Sequence, residues 1–302
     1  MVTYSSRSRS AHGKERGTRA FRFGVSLLAT GSRSAWQRKA RQAEDLGYDV
    51  LLVPDHLGML APFPALVSAA DVTSIRVGTF VLNSGLYRPA VLARDVADTD
   101  QLTDGRFELG LGAGYQDADF KAAGLPLPSR KQRIEQLART VRQVRRLLTS
   151  ADHRPMVRQK PHPPLMIAGR GARMLGLAGR EADIVGLPLD AGVKPGTEPE
   201  RALAERVALV RAEAGERADD LELNLLIAGV AVTPDRPDLP ALRPFLPGLS
   251  EAEILRLPNV LLGSERQIAE QLRHLREAYG ISYFSVVEPH MAAFARVIAQ
   301  LR

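Results

Sequence analysis

Eight times along the chain, an apolar run of strand length is followed by an amphipathic stretch of helical length, and this alternation constrains the fold most. The strand-like runs are Phe21 to Leu28, Asp49 to Val53, Ile75 to Leu82, Arg106 to Leu111, Pro164 to Ala168, Asp183 to Leu187, a segment within Leu221 to Val232, and Tyr283 to Val287. They are rich in branched and aromatic residues, as strands prefer. Between and after them, helical spacing runs over Ser34 to Leu46, Pro64 to Asp71, Pro89 to Leu102, Lys131 to Leu148, Ala172 to Glu181, Glu198 to Ala214, Ser264 to Tyr279 and His290 to Leu301. Near-continuous apolar strands separated by helices indicate a parallel sheet covered on both faces. Eight such units predict an α/β fold of the closed (β/α)8 TIM barrel type. A doubly wound sheet of six strands with a small extra domain is the alternative.

One stretch interrupts the pattern. Pro234 to Pro258 holds six prolines and one short helical piece, Ser250 to Leu257, opened by an S-x-x-E capping box, Ser250 with Glu253. The expected architecture is therefore a barrel with an insertion after the seventh strand. Such an insertion lies on the side where barrels place their sites, and reads either as a substrate lid or as a plain connection.

Composition narrows the classes of function. The 302 residues carry 41 bases and 34 acids, a formal net charge of +7. Five of the bases (Arg7, Arg9, Lys14, Arg16, Arg19) and one acid, Glu15, stand in the first twenty residues, so +4 of the charge belongs to one end. The expectation is a disordered basic tail over 1–20 and a barrel over 21–302, with no nucleic-acid partner implied. The absence of cysteine excludes disulfides, thiolate metal sites and a cysteine nucleophile. No apolar run approaches the roughly 18 to 20 residues of a membrane span, and the charged tail lacks the apolar core of a secretory signal, so a cytoplasmic chain with no membrane partner is expected.

In a barrel, residues just past the C-terminal ends of the strands line the site. That rule selects 28–30, 54–56, 83–84, 112–115, 169–171, 188–190, Thr233 and 288–290. Asp55-His56 follows a strand directly. A histidine there can exchange a proton near neutral pH beside a carboxylate that tunes it, or can simply pack beneath a loop. The run Gly110-Leu111-Gly112-Ala113-Gly114 lets backbone approach a flat ring or a phosphate. Its spacing misses the dinucleotide fingerprint, because the third glycine comes one residue early. Gly169-Arg170-Gly171 opens a helix and reads as an anion site, or as a glycine turn beside a solvated arginine. Arg139, Arg142, Arg145 and Arg146 read as a solvated helix face, and Trp36 as a packing residue. His153 and His162 lack metal-ligand spacing, and no metal site is expected.

Four segments taken together resemble the bacterial-luciferase-like superfamily, in its branch of oxidoreductases that use the deazaflavin coenzyme F420. They are LGYDVLLVPDHL (46–57), the stretch RVGTFVLNSGLY to GLGAGY (76–115), PPLMIAGRGARMLGLAGREADIVGL (163–187) and VLLGSERQIAEQLRHLREAYGISYFSVVE (260–288). The resemblance implies a deazaflavin ring at the barrel mouth, with flavin mononucleotide (FMN) as the alternative. It implies that Asn83 and Ser84 support the ring, that Ala113 and Gly114 touch it, and that Gly169, Arg170 and Gly171 hold the cofactor phosphate. It also implies that Asp55 approaches the ring while His56 donates or accepts a proton. The activity implied is hydride transfer between the deazaflavin C5 and a small organic substrate, in a homodimer. An FMN-dependent monooxygenase with a reductase partner, or a non-catalytic partner subunit, are the other readings the superfamily allows. The chain departs from the superfamily's sugar-phosphate dehydrogenases at one position: their acid-base glutamate follows the glycine run, where Tyr115 stands here. That argues against sugar-phosphate oxidation by the same machinery.

Overall fold

The computed structural model of the protein describes residues 19–28, 31–187, 193, 196–243, 246 and 248–302. Its barrel strands are β1 (Arg22–Ser26), β2 (Val50–Val53), β3 (Arg76–Thr79), β4 (Leu82–Asn83), β5 (Phe107–Gly112), β6 (Leu165–Ala168), β7 (Ile184–Leu187), β8 (Glu222–Ile227) and, after the insertion, β11 (Ile281–Val287). The helices are α1 (Arg33–Asp45), α2 (Pro62–Ala70), α3 (Pro89–Leu102), α4 (Asp117–Ala122), α5 (Arg130–Thr149), α6 (Ala172–Glu181) and α7 (Pro199–Ala214), then α8 (Leu239–Leu242), α9 (Glu251–Leu255), α10 (Glu265–Tyr279) and α11 (Met291–Ile298). All pairings are parallel, in the order β3-β2-β1-β11-β8-β7-β6-β5, and β3 returns to β5 through Val77 opposite Phe107 and Gly78 opposite Glu108. The sheet is closed, and the fold is the (β/α)8 barrel.

Closure depends on an absent side chain. A Cβ on Gly110 would stand 2.0 Å from the Thr79 carbonyl oxygen. Instead Thr79 Oγ1 donates to the Gly110 carbonyl at 2.9 Å and accepts from its N–H at 2.8 Å, stitching the seam from both sides.

The third strand ends earlier than its apolar run. Ile75 to Leu82 reads as one strand, but β3 stops at Thr79, the Phe80–Val81 peptide is cis, and β4 pairs separately with β5. The segment within Leu221 to Val232 likewise divides. β8 stays in the barrel, whereas β9 (Gly229–Val232) leaves it and pairs with β10 (Val260–Gly263) in a two-stranded parallel sheet. The insertion therefore has a small core of its own, in which Ala228, Leu242, Ile254, Leu257 and Val260 are buried together. Ser250 and Glu253 form the expected capping box on α9: Ser250 Oγ accepts from Glu253 N–H, and Ser250 N–H donates to Glu253 Oε2 at 2.8 Å. Hydrogen bonds from Gly196 N–H, Ser250 N–H and the Ser250 hydroxyl lower the Glu253 carboxyl to about 2.

Inside the barrel three levels succeed one another. The floor is charged: Arg22 pairs with Glu108 and Glu222, Arg76 Nε with Glu108 Oε1 at 2.6 Å, and the Arg22 guanidinium lies 4.5 Å from the Tyr283 ring centre. Burial raises Glu222, against the pull of Arg22. Above it Val50, Leu52, Met166, Ile184 and Tyr283 form an apolar layer. Toward the C-terminal mouth the interior positions Ser26, Gly112, Ala168, Gly186 and Ser285 are small. Outside, Trp36 is buried and donates to the Ala65 carbonyl at 2.8 Å, a packing role as expected. Arg142 and Arg145 pair with Glu181, so the basic face of α5 is partly docked on α6. Residues 1–18 of the expected tail lie outside the described residues; Arg19 donates to the Asp219 and Asp220 carbonyls at 3.1 and 2.7 Å. No described helix is long and apolar enough to cross a membrane.

Candidate functional site

The mouth is built by loops that leave the C-terminal strand ends. Asp55-His56 follows β2 after Pro54, and the chain turns at once through the Met59 N–H to His56 carbonyl bond, 3.1 Å. Asp55 is buried, and its Oδ2 accepts from Asn83 N–H at 3.0 Å. The Tyr87 hydroxyl also donates to it. Burial raises the Asp55 carboxyl; these two hydrogen bonds and nearby His56 pull the other way without overcoming it. Burial and the facing Asp55 together raise the Tyr87 phenol, which keeps it a donor.

His56 is partly exposed, and its Nδ1 lies 2.9 Å from Asp119 Oδ2. The other oxygen of Asp119 accepts from Leu57 N–H at 3.1 Å. Asp119 is buried in the first turn of α4, a helix pinned beneath by Phe120, whose ring packs on Gly85. One carboxylate thus holds both the ring and the backbone that carries it. In the sequence Asp119, one helical turn past Tyr115, reads as a carboxylate that helps fix a loop, and its bond to Leu57 N–H does so; its hold on His56 carries no sequence signal, because α4 has six residues, too few to register as a periodic helix.

Asn83 and Ser84 are buried at the third-strand end. Asn83 Oδ1 accepts from Gly85 N–H at 3.0 Å, while Asn83 Nδ2 and Ser84 Oγ have no partner among the described residues. Gly114 faces them at φ +69°, and a Cβ there would stand 2.1 Å from Asn83 Oδ1. Asp55, His56, Asn83, Ser84, Ala113 and Gly114 are therefore gathered around one corner of the mouth. The carbonyl of Gly114 is held by Arg133 Nε at 2.9 Å.

Gly169, Arg170 and Gly171 follow β6, and Gly171 caps the N-terminus of the ten-residue α6 at φ 85°. Arg130, the first residue of α5, donates to the Arg170 carbonyl at 2.7 Å, and a Cβ on Gly171 would lie 2.5 Å from its guanidinium. This second base at the glycine turn escaped the strand-end rule because it comes from a helix start. On the opposite rim, Glu288 Oε2 accepts from Leu28 N–H at 3.0 Å, and Oε1 pairs with Lys39 at 2.6 Å. Thr233 does not belong to the mouth. It follows β9, outside the barrel, and the seventh barrel strand ends at Ile227. Residues 29–30 and 188–190 lie outside the described residues.

The mouth of the closed parallel barrel thus brings together a glycine-lined turn, a held histidine and a basic helix start, an arrangement within the class of α/β-barrel oxidoreductase-like proteins. The signature of the luciferase-like monooxygenases matches residues 20–242, and the chain belongs to that family. It is 30% identical over 166 residues to an F420-dependent glucose-6-phosphate dehydrogenase of Amycolatopsis mediterranei (strain U-32), covering 48% of this chain and 50% of that protein. The chain thus spans about half the length of this relative and of a second F420-dependent glucose-6-phosphate dehydrogenase, from Intrasporangium calvum. Among solved structures it superposes on a monooxygenase from Streptomyces bottropensis with a TM-score of 0.72 at 19% identity, over 92% of this chain and 98% of that one. On the coenzyme F420 dependent tetrahydromethanopterin reductase of Methanopyrus kandleri the TM-score is 0.71 at 16% identity, over 94% and 100%.

Proposed function

We propose that the chain is an F420-dependent oxidoreductase that transfers hydride between the deazaflavin C5 and a small organic substrate, with His56 handling the proton. The observation that carries this reading is the His56–Asp119 pair standing beside the Asn83–Gly114 cradle. The cradle fits a flat ring: Gly114 lacks the side chain that would fill it, and the buried Asn83 Nδ2 and Ser84 Oγ have no hydrogen-bond partner among the described residues. Asn83, Ser84, Ala113 and Gly114 would hold the ring. Gly169, Arg170 and Gly171 would hold the phosphate, where N–H groups of a helix start favour an anion. Similarity to F420-dependent relatives supports the deazaflavin over FMN.

When bound, the deazaflavin supplies a two-electron hydride centre; the protein supplies position, a dry seat and the proton. A carboxylate only accepts hydrogen bonds, so His56 Nδ1 donates to Asp119, and Nε2 of the neutral ring is left as the acceptor. In the oxidising direction Nε2 takes the substrate proton; in the reducing direction the imidazolium returns it, with Asp119 balancing its charge. Tyr115 is 71% exposed where a sugar-phosphate dehydrogenase would place its glutamate, so the substrate is not expected to be a sugar phosphate.

Binding tests this reading. The purified protein is expected to take up F420 with micromolar or tighter affinity, followed by deazaflavin fluorescence. Tight FMN uptake without F420 uptake would overturn it in favour of a flavin monooxygenase.

A further inference from the structure

We propose that the mouth carries an apolar collar that recognises the hydrocarbon part of the substrate, so that the acceptor is an alkyl- or aryl-bearing carbonyl, imine or alkene compound. This rests on the reading of the mouth as an oxidoreductase site and names the substrate class for it. Among the described residues eleven large apolar side chains stand exposed, and seven of them lie on loops that follow barrel strands at the C-terminal end. Six occupy just two loops: Leu57, Met59 and Leu60 after β2, and Tyr115, Leu125 and Leu127 after β5.

Those two loops are one surface. Asp119 bonds to both His56 and Leu57, joining the β5 loop to the β2 loop across the end of β3, and Leu125 N–H closes α4 onto the Phe120 carbonyl at 2.8 Å. Between them the half-exposed Phe80 and Val81 continue the apolar lining down into the barrel. Charge is sparse here: no acidic or basic residue occurs in 57–70 or in 122–128, and the exposed Asp117 and Lys121, between Tyr115 and Leu125, pair with each other. The bases Arg130 and Arg170 lie beyond this stretch, at the glycine turn after β6. The mouth is thus divided between an anion corner and an apolar corner, and His56 belongs to the apolar one. Exposed apolar surface concentrated in this way marks a binding surface, and its continuity with the His56 corner makes the occupant a small-molecule chain.

The test uses the full chain, with and without added F420, and titrates 2-alkanones from 2-butanone to 2-decanone by calorimetry. Affinity is expected to tighten about fourfold per added methylene until the collar is filled, the increment of burying one methylene. In Met59→Ser/Leu60→Ser, and separately in Leu125→Ser/Leu127→Ser, the increment is expected to fall below about twofold while the melting temperature holds. An affinity independent of chain length in the parent protein overturns the proposal, as does an unchanged increment in both variants. A dimer by light scattering that dissociates in these variants also overturns it, because the collar would then be a contact between copies. Loss of F420 uptake with the increment intact removes the deazaflavin reading and leaves the collar standing. An absent increment with F420 bound does the reverse.

Discussion

A histidine serves a reaction as proton donor or acceptor when its ring is fixed and its two nitrogens have different work. Here Asp119 fixes both, through His56 Nδ1 and Leu57 N–H. His56→Ala is expected to lower kcat on the order of a hundredfold or more, the usual worth of general acid-base catalysis, while F420 affinity changes little. Asp119→Asn keeps the shape and loses the charge; it is expected to lower kcat on the order of tenfold with KM nearly unchanged. A fall in F420 affinity parallel to kcat in either variant would place these residues in cofactor binding instead. Asp55 gives a pH prediction. Its carboxyl is raised by burial, so the folded protein binds that proton more tightly than the unfolded chain. The stability it contributes is present below the ordinary aspartate value of about 3.9 and is lost as pH rises through the raised value. Asp55→Asn stays neutral throughout. Its melting temperature relative to the parent should therefore rise between pH 4 and pH 7.5, and a flat difference across that range would refute the assignment.

At the scale of elements, periodicity located the barrel strands because each is short, apolar and bounded by turns. Pro89–Leu102 and Ala172–Glu181 are helices over the very residues the pattern marked, since a proline start or a glycine turn delimits each. Three features did not register, for separate physical reasons. The break between β3 and β4 sits inside a continuous apolar run, where composition holds no boundary. β9 extends β8 in sequence but leaves the barrel to pair with β10, and pairing is a tertiary choice that local pattern does not encode. α4 is too short for a period, so the sequence marked Asp119 only as a residue that helps fix a loop, without its bond to His56. The candidate site was legible where glycines and strand ends carry the signal, and illegible where a helix start supplies Arg130 and where Asp119 turns toward His56. The β3–β5 seam makes the element-scale prediction. Gly110→Ala would drive a methyl group onto the Thr79 carbonyl, and β3 cannot yield without opening the barrel. A loss of about 3 kcal/mol is expected, read from urea unfolding. Gly124→Ala serves as the control, since its Cβ would meet nothing within 4 Å; at φ +68° it should cost no more than about 1–2 kcal/mol.

Across the whole molecule the two ends of the barrel do different work. The floor is a packed ion cluster, in which Arg22 serves two carboxylates and Glu108 two guanidiniums. The mouth holds polar groups with no partner among the described residues and a carboxyl raised by burial, features that cost stability and are retained where a ligand can use them. The apolar layer of Val50, Leu52, Met166, Ile184 and Tyr283 separates the two ends and carries no charge between them. Stability and binding should therefore respond to substitution independently. Arg22→Met strands Glu222 in a buried floor and leaves Glu108 with Arg76 alone, and a loss of about 3 kcal/mol is expected, since a buried charge deprived of its partner is costly. That corresponds to a fall of roughly 6–12 °C in melting temperature for a chain of this size. Its F420 affinity, measured well below the transition, should stay within about twofold of the parent, because no charged contact links floor to mouth. Asn83→Ala should show the opposite profile, with F420 affinity reduced by about tenfold and a melting temperature lowered by no more than about 4 °C, because it loses only the Oδ1 bond to Gly85 N–H while Nδ2 has no partner among the described residues. If Arg22→Met weakens F420 binding as strongly as Asn83→Ala does, the two ends are coupled through the apolar layer, and the division of work between them fails.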